Sequence, residues 1–293
     1  MTYRNLIPGQ FQIGDIVFGR GTNIIVTNWD AKPYDVNQQD YQVPRADEAR
    51  FGWDNFKPTT LEFDMTVLYN KMLPGNEHLF PNFWHGMPTS MDLSREWRFD
   101  EGRQIWGMMK PLYVRNRIDE IPKIIFGRPG QFGAANGGEH SVHVTAEYRR
   151  ADTLAYAIDE EFVSISGTTI VGSINGTHGQ AASWMRVELQ GPVKKPKITL
   201  TNMLNQAEPV VLDLDYEVSE GEIVYISSYP WARSIINNDS PPVNLTANLI
   251  GDSPYLDRLR FNFDSVVEFQ VEGDNMTSDT RFTVFWRDAF TVV

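Results

Sequence analysis

Thr60-Leu61-Glu62-Phe63-Asp64-Met65-Thr66-Val67-Leu68-Tyr69 alternates apolar and polar residues with a period of two. On an extended backbone, successive side chains point to opposite faces. Leu61, Phe63, Met65, Val67 and Tyr69 therefore share one face, and Thr60, Glu62, Asp64 and Thr66 share the other. The stretch reads as a half-buried antiparallel strand. The same period returns at Ser183–Leu189, Lys197–Leu200, Val210–Val218, Ile223–Ser227, Leu259–Phe263, Val266–Val271 and Arg281–Trp286. Turn residues separate these runs: Glu220-Gly221-Glu222, Gly251-Asp252-Ser253-Pro254 and Glu272-Gly273-Asp274-Asn275. The expectation is a mainly β chain.

One segment supports a helix. Leu93 and Trp97 lie four apart, Ser90 or Ser94 is placed to cap it, and Asp100-Glu101-Gly102 is placed to end it. A second helical turn is expected over Arg150–Ile158. The Gly-rich run Gly127-Arg128-Pro129-Gly130-Gln131-Phe132-Gly133, followed by Gly137-Gly138, precedes a domain boundary expected between Ala151 and Val163. The resulting division is 1–155 and 156–293, the second part carrying the closely spaced short strands of a β-sandwich.

Composition narrows the function. The 293 residues include 22 Gly, 17 Pro and 12% aromatics, with 41% hydrophobic residues, enough for a sizeable core. There is no cysteine, which excludes disulfides, thiolate nucleophiles and Cys-based zinc sites and suits synthesis in a reducing cytoplasm. The start, MTYRNLIPGQ, lacks the basic and apolar regions of a secretory signal, and no apolar run approaches the ~20 residues of a membrane span. The chain is expected to be soluble, with no membrane insertion. The triplets beginning at Asn175, Asn244 and Asn275 are then ordinary polar loops. A net charge of -12 argues against a nucleic-acid reader, which needs a basic stripe. The single short basic cluster is Lys194, Lys195 and Lys197, so sequence-specific nucleic-acid binding is not expected.

The chemical motifs are thin. Asp213, Asp215 and Glu217 would share one face of a strand and could bind calcium or act as paired carboxylates. The plainer reading is a solvated face, with Leu212, Leu214, Tyr216 and Val218 packed behind it. His78, His85, His140, His143 and His178 form no metal-ligand spacing, and His140 and His143 would point to opposite faces of a strand. No Gly-x-Ser-x-Gly elbow is present. Phe18-Gly19-Arg20-Gly21-Thr22 lacks the spacing of a phosphate loop and reads as a hairpin turn between Ile16–Phe18 and Ile24–Thr27. Trp29, Trp53, Trp84, Trp97, Trp106, Trp184, Trp231 and Trp286, with Phe56 and Phe83, could offer a sugar platform, but without a catalytic motif they favour packing and protein interfaces. No catalytic, cofactor-binding or metal-binding residue is singled out, no cofactor is expected, and the chain is not expected to be an enzyme.

Against that background, Val43-Pro44-Arg45-Ala46-Asp47-Glu48-Ala49-Arg50-Phe51-Gly52-Trp53-Asp54, followed by the Leu61–Tyr69 strand, resembles the N-terminal region of siphophage distal tail proteins (Dit) and related minor tail proteins. Those carry a P-R-x-D-G-x-x-F-G-x-D-like stretch, and Glu48 stands where glycine is usual. Lys123-Ile124-Ile125-Phe126-Gly127-Arg128-Pro129 resembles the Gly-Arg-Pro strand end of actinobacteriophage tail proteins, and His143–Asp152 their V-x-A-x-F/Y-x-x-x-D. In the second half the similar elements are Asn175-Gly176-Thr177, Ala181–Glu188, Gly191-Pro192, Pro196-Lys197-Ile198, Asp213–Glu222, Ile226-Ser227 and Phe285-Trp286-Arg287-Asp288-Ala289. Their order and spacing carry the resemblance along nearly the whole chain.

The resemblance implies an N-terminal ring-forming β domain with one helix over 1–155 and an outward galectin-like β-sandwich over 156–293. It implies a hexameric homo-oligomeric ring in the tail tip of a virion, made in the bacterial host cytoplasm. The implied partners are the tail tube protein, the tape measure protein, the tail-tip hub and other minor tail proteins. A ring needs a head-to-tail interface with anchors and exposed strand edges, and an acidic lumen would let DNA pass without sticking. The alternative is a receptor- or glycan-binding tail-tip module, and a third reading is a hydrolase, because a sandwich by itself does not fix a function.

Overall fold

A computed structural model describes residues 4–31, 35–37, 41–42, 49–50, 55–57, 59–68, 88–105, 107–116, 120–138, 140–175, 178–204, 208–250, 256–261 and 264–291. Tyr69, His78, His85, Trp53, Trp84, Trp106, Phe83 and most of the Val43–Asp54 stretch lie outside them. The chain divides into two compact units, Met1–Ala155 and Tyr156–Thr291.

The first unit opens with β1 (Gln10–Ile13), β2 (Ile16–Gly19) and β3 (Ile24–Ala31). The short strands β4 (Asp35–Asn37), β5 (Tyr41–Gln42), β6 (Ala49–Arg50) and β7 (Asn55–Lys57) follow, pairing β4 with β7 and β5 with β6. Next come β8 (Thr60–Leu68), helices α1 (Ser90–Arg98) and α2 (Asp100–Arg103), and strands β9 (Leu112–Arg115), β10 (Lys123–Ile125), β11 (Gly127–Gly138) and β12 (Ser141–Arg150). The order β2-β1-β9-β10 runs through one sheet, and β11-β12-β8-β3 makes a four-stranded second one. The alternation expected of β8 is present: Leu61, Phe63, Met65 and Val67 are buried, and the residues between them are half-buried.

Inward residues of both sheets meet in one core, with Phe11, Phe18 and Phe63 at its centre. The Phe63 ring lies 5.2 Å from Phe11, 5.7 Å from Phe18 and 6.0 Å from Trp97, each pair edge to face. That arrangement sets positive ring edges against negative faces. Helix α1 buries Leu93 and Trp97 in this core, and the Trp97 indole N–H donates to the Glu147 carbonyl of β12 at 2.8 Å.

The helix cap differs from expectation. Thr89, rather than Ser90 or Ser94, is the N-cap: its hydroxyl accepts from the Asp92 backbone N–H, and the Asp92 carboxylate accepts from Thr89. This reciprocal box satisfies two of the donors that every helix start leaves open. The helix also stops one residue before Asp100. Phe99 adopts a left-handed backbone (φ 50°), and its ring occupies the place where a Cβ on Gly102 would sit, so a second short helix begins there.

Two further expectations are corrected. Phe18–Thr22 does not close a hairpin, since β2 pairs with β1 and β3 pairs with β8 in the other sheet. The turn is a corner between layers, tied by the Thr22 hydroxyl to Gly19 and Ile24 carbonyls at 2.9 Å. The Gly127–Gly138 run forms strand β11. It lies so close to β12 that a Cβ on Gly127 would meet the Arg149 carbonyl oxygen at 2.1 Å. Finally, Arg150–Ile158 holds no helical turn: a bend at Ala151–Thr153 leads into β13 (Ala155–Ala157).

The second unit is a two-sheet β-sandwich. Its strands are β14 (Glu161–Ser166), β15 (Ile170–Ile174), β16 (Ser183–Gln190), β17 (Val193–Thr201), β18 (Val210–Asp213), β19 (Glu217–Val218), β20 (Ile223–Ser227), β21 (Ser234–Asn237), β22 (Arg260–Phe261), β23 (Val267–Asp274), β24 (Arg281–Trp286) and β25 (Ala289–Phe290). One sheet has the order β14-β24-β16-β20-β21, with β22 on β16; the other has β15-β23-β17-β18, with β19 on β17. Val187, Leu189, Val224, Ile226, Phe282 and Val284 of the first sheet meet Ile198, Leu200, Leu212, Phe269 and Val271 of the second. The expected Val210–Val218 strand is broken at Asp215–Tyr216. Opposite it, β17 shifts register between Lys194 and Lys197, where Lys195 is left-handed (φ 49°) and Pro196 has no N–H to offer.

Within the first unit the cap gives a pH-dependent prediction. Hydrogen bonds from the Thr89 backbone and hydroxyl hold the Asp92 carboxyl below its ordinary value. A lowered folded-state value stabilises the fold above the unfolded-state value, and that contribution is lost as pH falls through the folded one. Asp92→Ala is expected to cost about 1 kcal/mol at pH 7. In paired thermal melts its deficit against the parent should shrink as the pH falls below about 4; a deficit independent of pH would refute the assignment.

Candidate assembly surface

The outward face of the β11-β12-β8-β3 sheet is built by the same alternation that builds its core. With Phe63 and Ala146 turned inward, Glu62, Asp64, Thr145 and Glu147 must turn outward. Register then aligns them. Asn28 stands opposite Asp64, which stands opposite Thr145; Asp30 stands opposite Glu62, which stands opposite Glu147. One row across three strands therefore carries three carboxylates. An open groove of about 450 Å³ runs over them, bounded by Gln131 and Gly133 of β11.

Like charges placed directly opposite each other on neighbouring strands are destabilising. Packing does not require this row, because the inward residues alone fill the core. The acids also do not converge on a metal: among the described residues, no group of three or more His, Asp or Glu could hold one.

Both ends of this sheet are open edges among the described residues, β11 on one side and β3 on the other. Exposed edges are usually guarded by Lys, Pro or short length. From Gln131 to Gly138, β11 carries no charge and no proline, only Gln, Phe, Gly, Ala and Asn, and all but Phe132 are exposed. The base of this strand is held firmly. The Arg103 guanidinium donates to the carbonyls of Trp97 (3.2 Å), Pro129 (3.0 Å) and Gly130 (3.2 Å), where β11 bulges. Arg128 donates to Ile105 (2.8 Å) and to Met108. Lys110, buried under Phe99, pairs with Glu96 and donates to its carbonyl at 2.8 Å, fixing α1 to the same region. Guanidinium forks of this kind preset a strand's geometry before any partner arrives.

The residues weighed for chemistry do not assemble. Asp213, Asp215 and Glu217 form a solvated edge with Leu212, Leu214 and Val218 buried behind, and Asp215 ion-pairs with exposed Lys195 at 3.2 Å. His140 lies in the β11–β12 turn and His143 on the outer face of β12, both exposed. The His178 backbone N–H donates to Asp288 at 3.1 Å. Trp97, Trp184 and Trp286 are buried and Trp29 packs against the first core, which is a packing role. The open edge of β11 escaped sequence reading because glycine and alanine carry no alternation. Its only signal was the uncharged stretch 131–138.

No family model and no curated protein matches this chain. Among solved structures, the Dit protein (gp 19.1) of phage SPP1, described as a paradigm of the hub adsorption apparatus in phages infecting Gram-positive hosts, superposes with a TM-score of 0.56. It is 12% identical, and the match covers 96% of this chain and 98% of that one. The baseplate of phage p2 in its activated conformation with strontium contains a chain matched at a TM-score of 0.51 and 10% identity, covering 97% and 99%.

If Glu147 sits in a row of facing carboxylates, Glu147→Gln is expected to stabilise the protein by about 0.2–1 kcal/mol at pH 7 and low ionic strength. The gain should fade in high salt, which already screens the repulsion. A lower melting temperature for the variant in low salt would show that the row is not repulsive. With likeness running through both compact units, the chain shares the fold of the SPP1 Dit protein.

Proposed function

We propose that this chain is a structural protein of a bacteriophage tail tip that closes into a homo-oligomeric ring, a hexamer, and joins the tail tube to the baseplate hub without catalysing a reaction. The observation that carries this reading is the Dit-like fold along 96% of the chain. The first unit would form the ring and the sandwich, galectin-like in kind, would project from it.

The sheet geometry supports the reading physically. A ring of identical chains needs a head-to-tail contact, in which one surface meets a different surface of the next copy. A sheet with two open edges offers that: β11 of one copy would add to β3 of the next. The unguarded, uncharged edge between Gln131 and Gly138 suits backbone-to-backbone approach. Continued around the ring, such pairing would turn one sheet face inward. The face bearing Asp30, Glu62 and Glu147 would then repel DNA passing through the channel, and the repulsion within the row would be the cost of that wall. The expected partners are other copies of the chain, the tail tube protein, the tape measure protein, the hub and other minor tail proteins. The expected location is the virion tail tip, after synthesis in the host cytoplasm.

Placing two lysines on the open edge tests the ring contact. Native mass spectrometry of the parent should show a closed oligomer, and Ala134→Lys/Asn136→Lys should return it to monomer with little change in melting temperature. A parent that stays monomeric at high concentration, or a variant that still closes, would defeat the edge-pairing model. Electron microscopy of the ring would defeat the acidic-wall part alone if the lumen were lined by basic side chains.

A further inference from the structure

The far end of β11 holds a chemically labile pair of residues where the strand leaves its regular ladder. Asn136 stands opposite Val142 of β12 and Gly138 opposite Ser141, so Gly137 is the extra residue of a bulge. Asn136, Gly137 and Gly138 are all exposed. The Gly138 backbone N–H donates to Asn136 Oδ1 at 3.0 Å. This short-range bond folds the side-chain amide back along its own main chain, beside the Gly137 peptide.

The fold demands the glycine of this pair but not the asparagine. A Cβ on Gly137 would meet the Ser141 hydroxyl oxygen at 2.9 Å and the His143 backbone nitrogen at 3.2 Å. Asn136 is exposed and lies outside the hydrophobic core, so packing requires no amide there. Without a Cβ, Gly137 leaves its own nitrogen open to the neighbouring Asn136 Cγ. The Gly138 N–H also points at the oxygen on which charge develops when Cγ is attacked. Among the described residues β11 is paired on one side only. The backbone rotation that brings nitrogen to Cγ is therefore resisted by a single ladder, interrupted at this point by the bulge.

We infer that Asn136-Gly137 is a site of spontaneous deamidation, which places a carboxylate on the open edge of β11. The Gly137 nitrogen attacks Asn136 Cγ. The new N–Cγ bond closes a succinimide ring as the Cγ–Nδ2 bond breaks, and ammonia leaves carrying the Gly137 proton. Water then opens the ring at either of its carbonyls, leaving an aspartyl or isoaspartyl residue at position 136. Water is the only co-reactant, and nothing is oxidised or reduced. The stretch 131–138 carries no charge before the reaction and one negative charge after it. Charge on an edge strand opposes pairing with another strand. Deamidation would thus retire the edge of a chain that has stayed unpaired. The chemistry is independent of ring closure; its effect on assembly rests on that reading.

The site can be tested by holding the full-length chain at mildly alkaline pH in oxygen-18-labelled water and mapping the label by peptide mass spectrometry. Asn202 and Asn248 serve as internal references, because their amides donate to the Val266 and Asp215 carbonyls. Label should enter at position 136 at least about tenfold faster than at either of them, since only there are the reacting atoms held together beside a glycine. Asn136→Gln, which would need a larger ring to close, should take up no label at 136 and keep the parent's melting temperature. Labelling at Asn136 no faster than at the references, or equal labelling in Asn136→Gln, would overturn the inference. Native mass spectrometry reads the effect on assembly: Asn136→Asp should weaken the parent's oligomer while Asn136→Gln retains it. Equal oligomers in the two variants would refute the retirement of the edge. A parent that stays monomeric defeats the ring reading, and the labelling alone then decides the site.

Discussion

The first unit depends on the contact between Phe63 and Trp97. Phe63 projects from β8, one of the two inner strands of its sheet, and Trp97 is the buried anchor of the helix. Their edge-to-face packing at 6.0 Å joins helix to sheet, and the indole N–H then fixes β12 through the Glu147 carbonyl. A buried aromatic of this size is worth about 3–5 kcal/mol against alanine, a large share of a domain's net stability. The helix position in turn fixes Arg103, and Arg103 fixes the bulge at the base of β11. The open edge is thus placed by a core contact through a chain of defined bonds.

That dependence explains what could be read in advance. β8, β16 and β24 were legible because each has one buried and one solvated face, and the period of two follows directly. Leu93 and Trp97 announced the helix for the same reason. The cap was missed by one residue because Thr89, Ser90 and Ser94 are all capping types, and only the Asp92 return bond selects Thr89. The β11 strand was hidden for a different reason. Its glycines are demanded by closeness to β12, and closeness between backbones has no period in a sequence. The layer-crossing corner at 19–22 reads as a hairpin in the sequence because the local turn chemistry of the two is alike, while the difference lies in which distant strands receive the flanking residues.

The outward residues carry the functional information, and they are the ones that packing leaves free. In both units the inward positions are ordinary aliphatic and aromatic side chains that many proteins could share. The outward positions depart from the solvated norm in opposite ways. On the first unit strand register gathers Asp30, Glu62 and Glu147 into one outward row. On the second, Arg186 pairs with Glu160 and Glu188, cancelling charge beside the exposed Phe162 ring. Neither arrangement improves the core beneath it, so neither is explained by folding.

The acidic composition also takes a different meaning once it is placed. An excess of acid spread evenly would speak only to solubility. Here Asp30, Glu62 and Glu147 are brought into one row by strand pairing, between edges of the same sheet that are open among the described residues. If edge pairing repeated this row around a channel, as proposed, it would act on a polyanion passing within a Debye length, ~8–10 Å. In the proposed assembly the chain's negative charge and its unguarded edge would not be separate features. In the proposed ring the edge would determine where the charge points, and the charge would give the assembly a surface suited to a translocating nucleic acid.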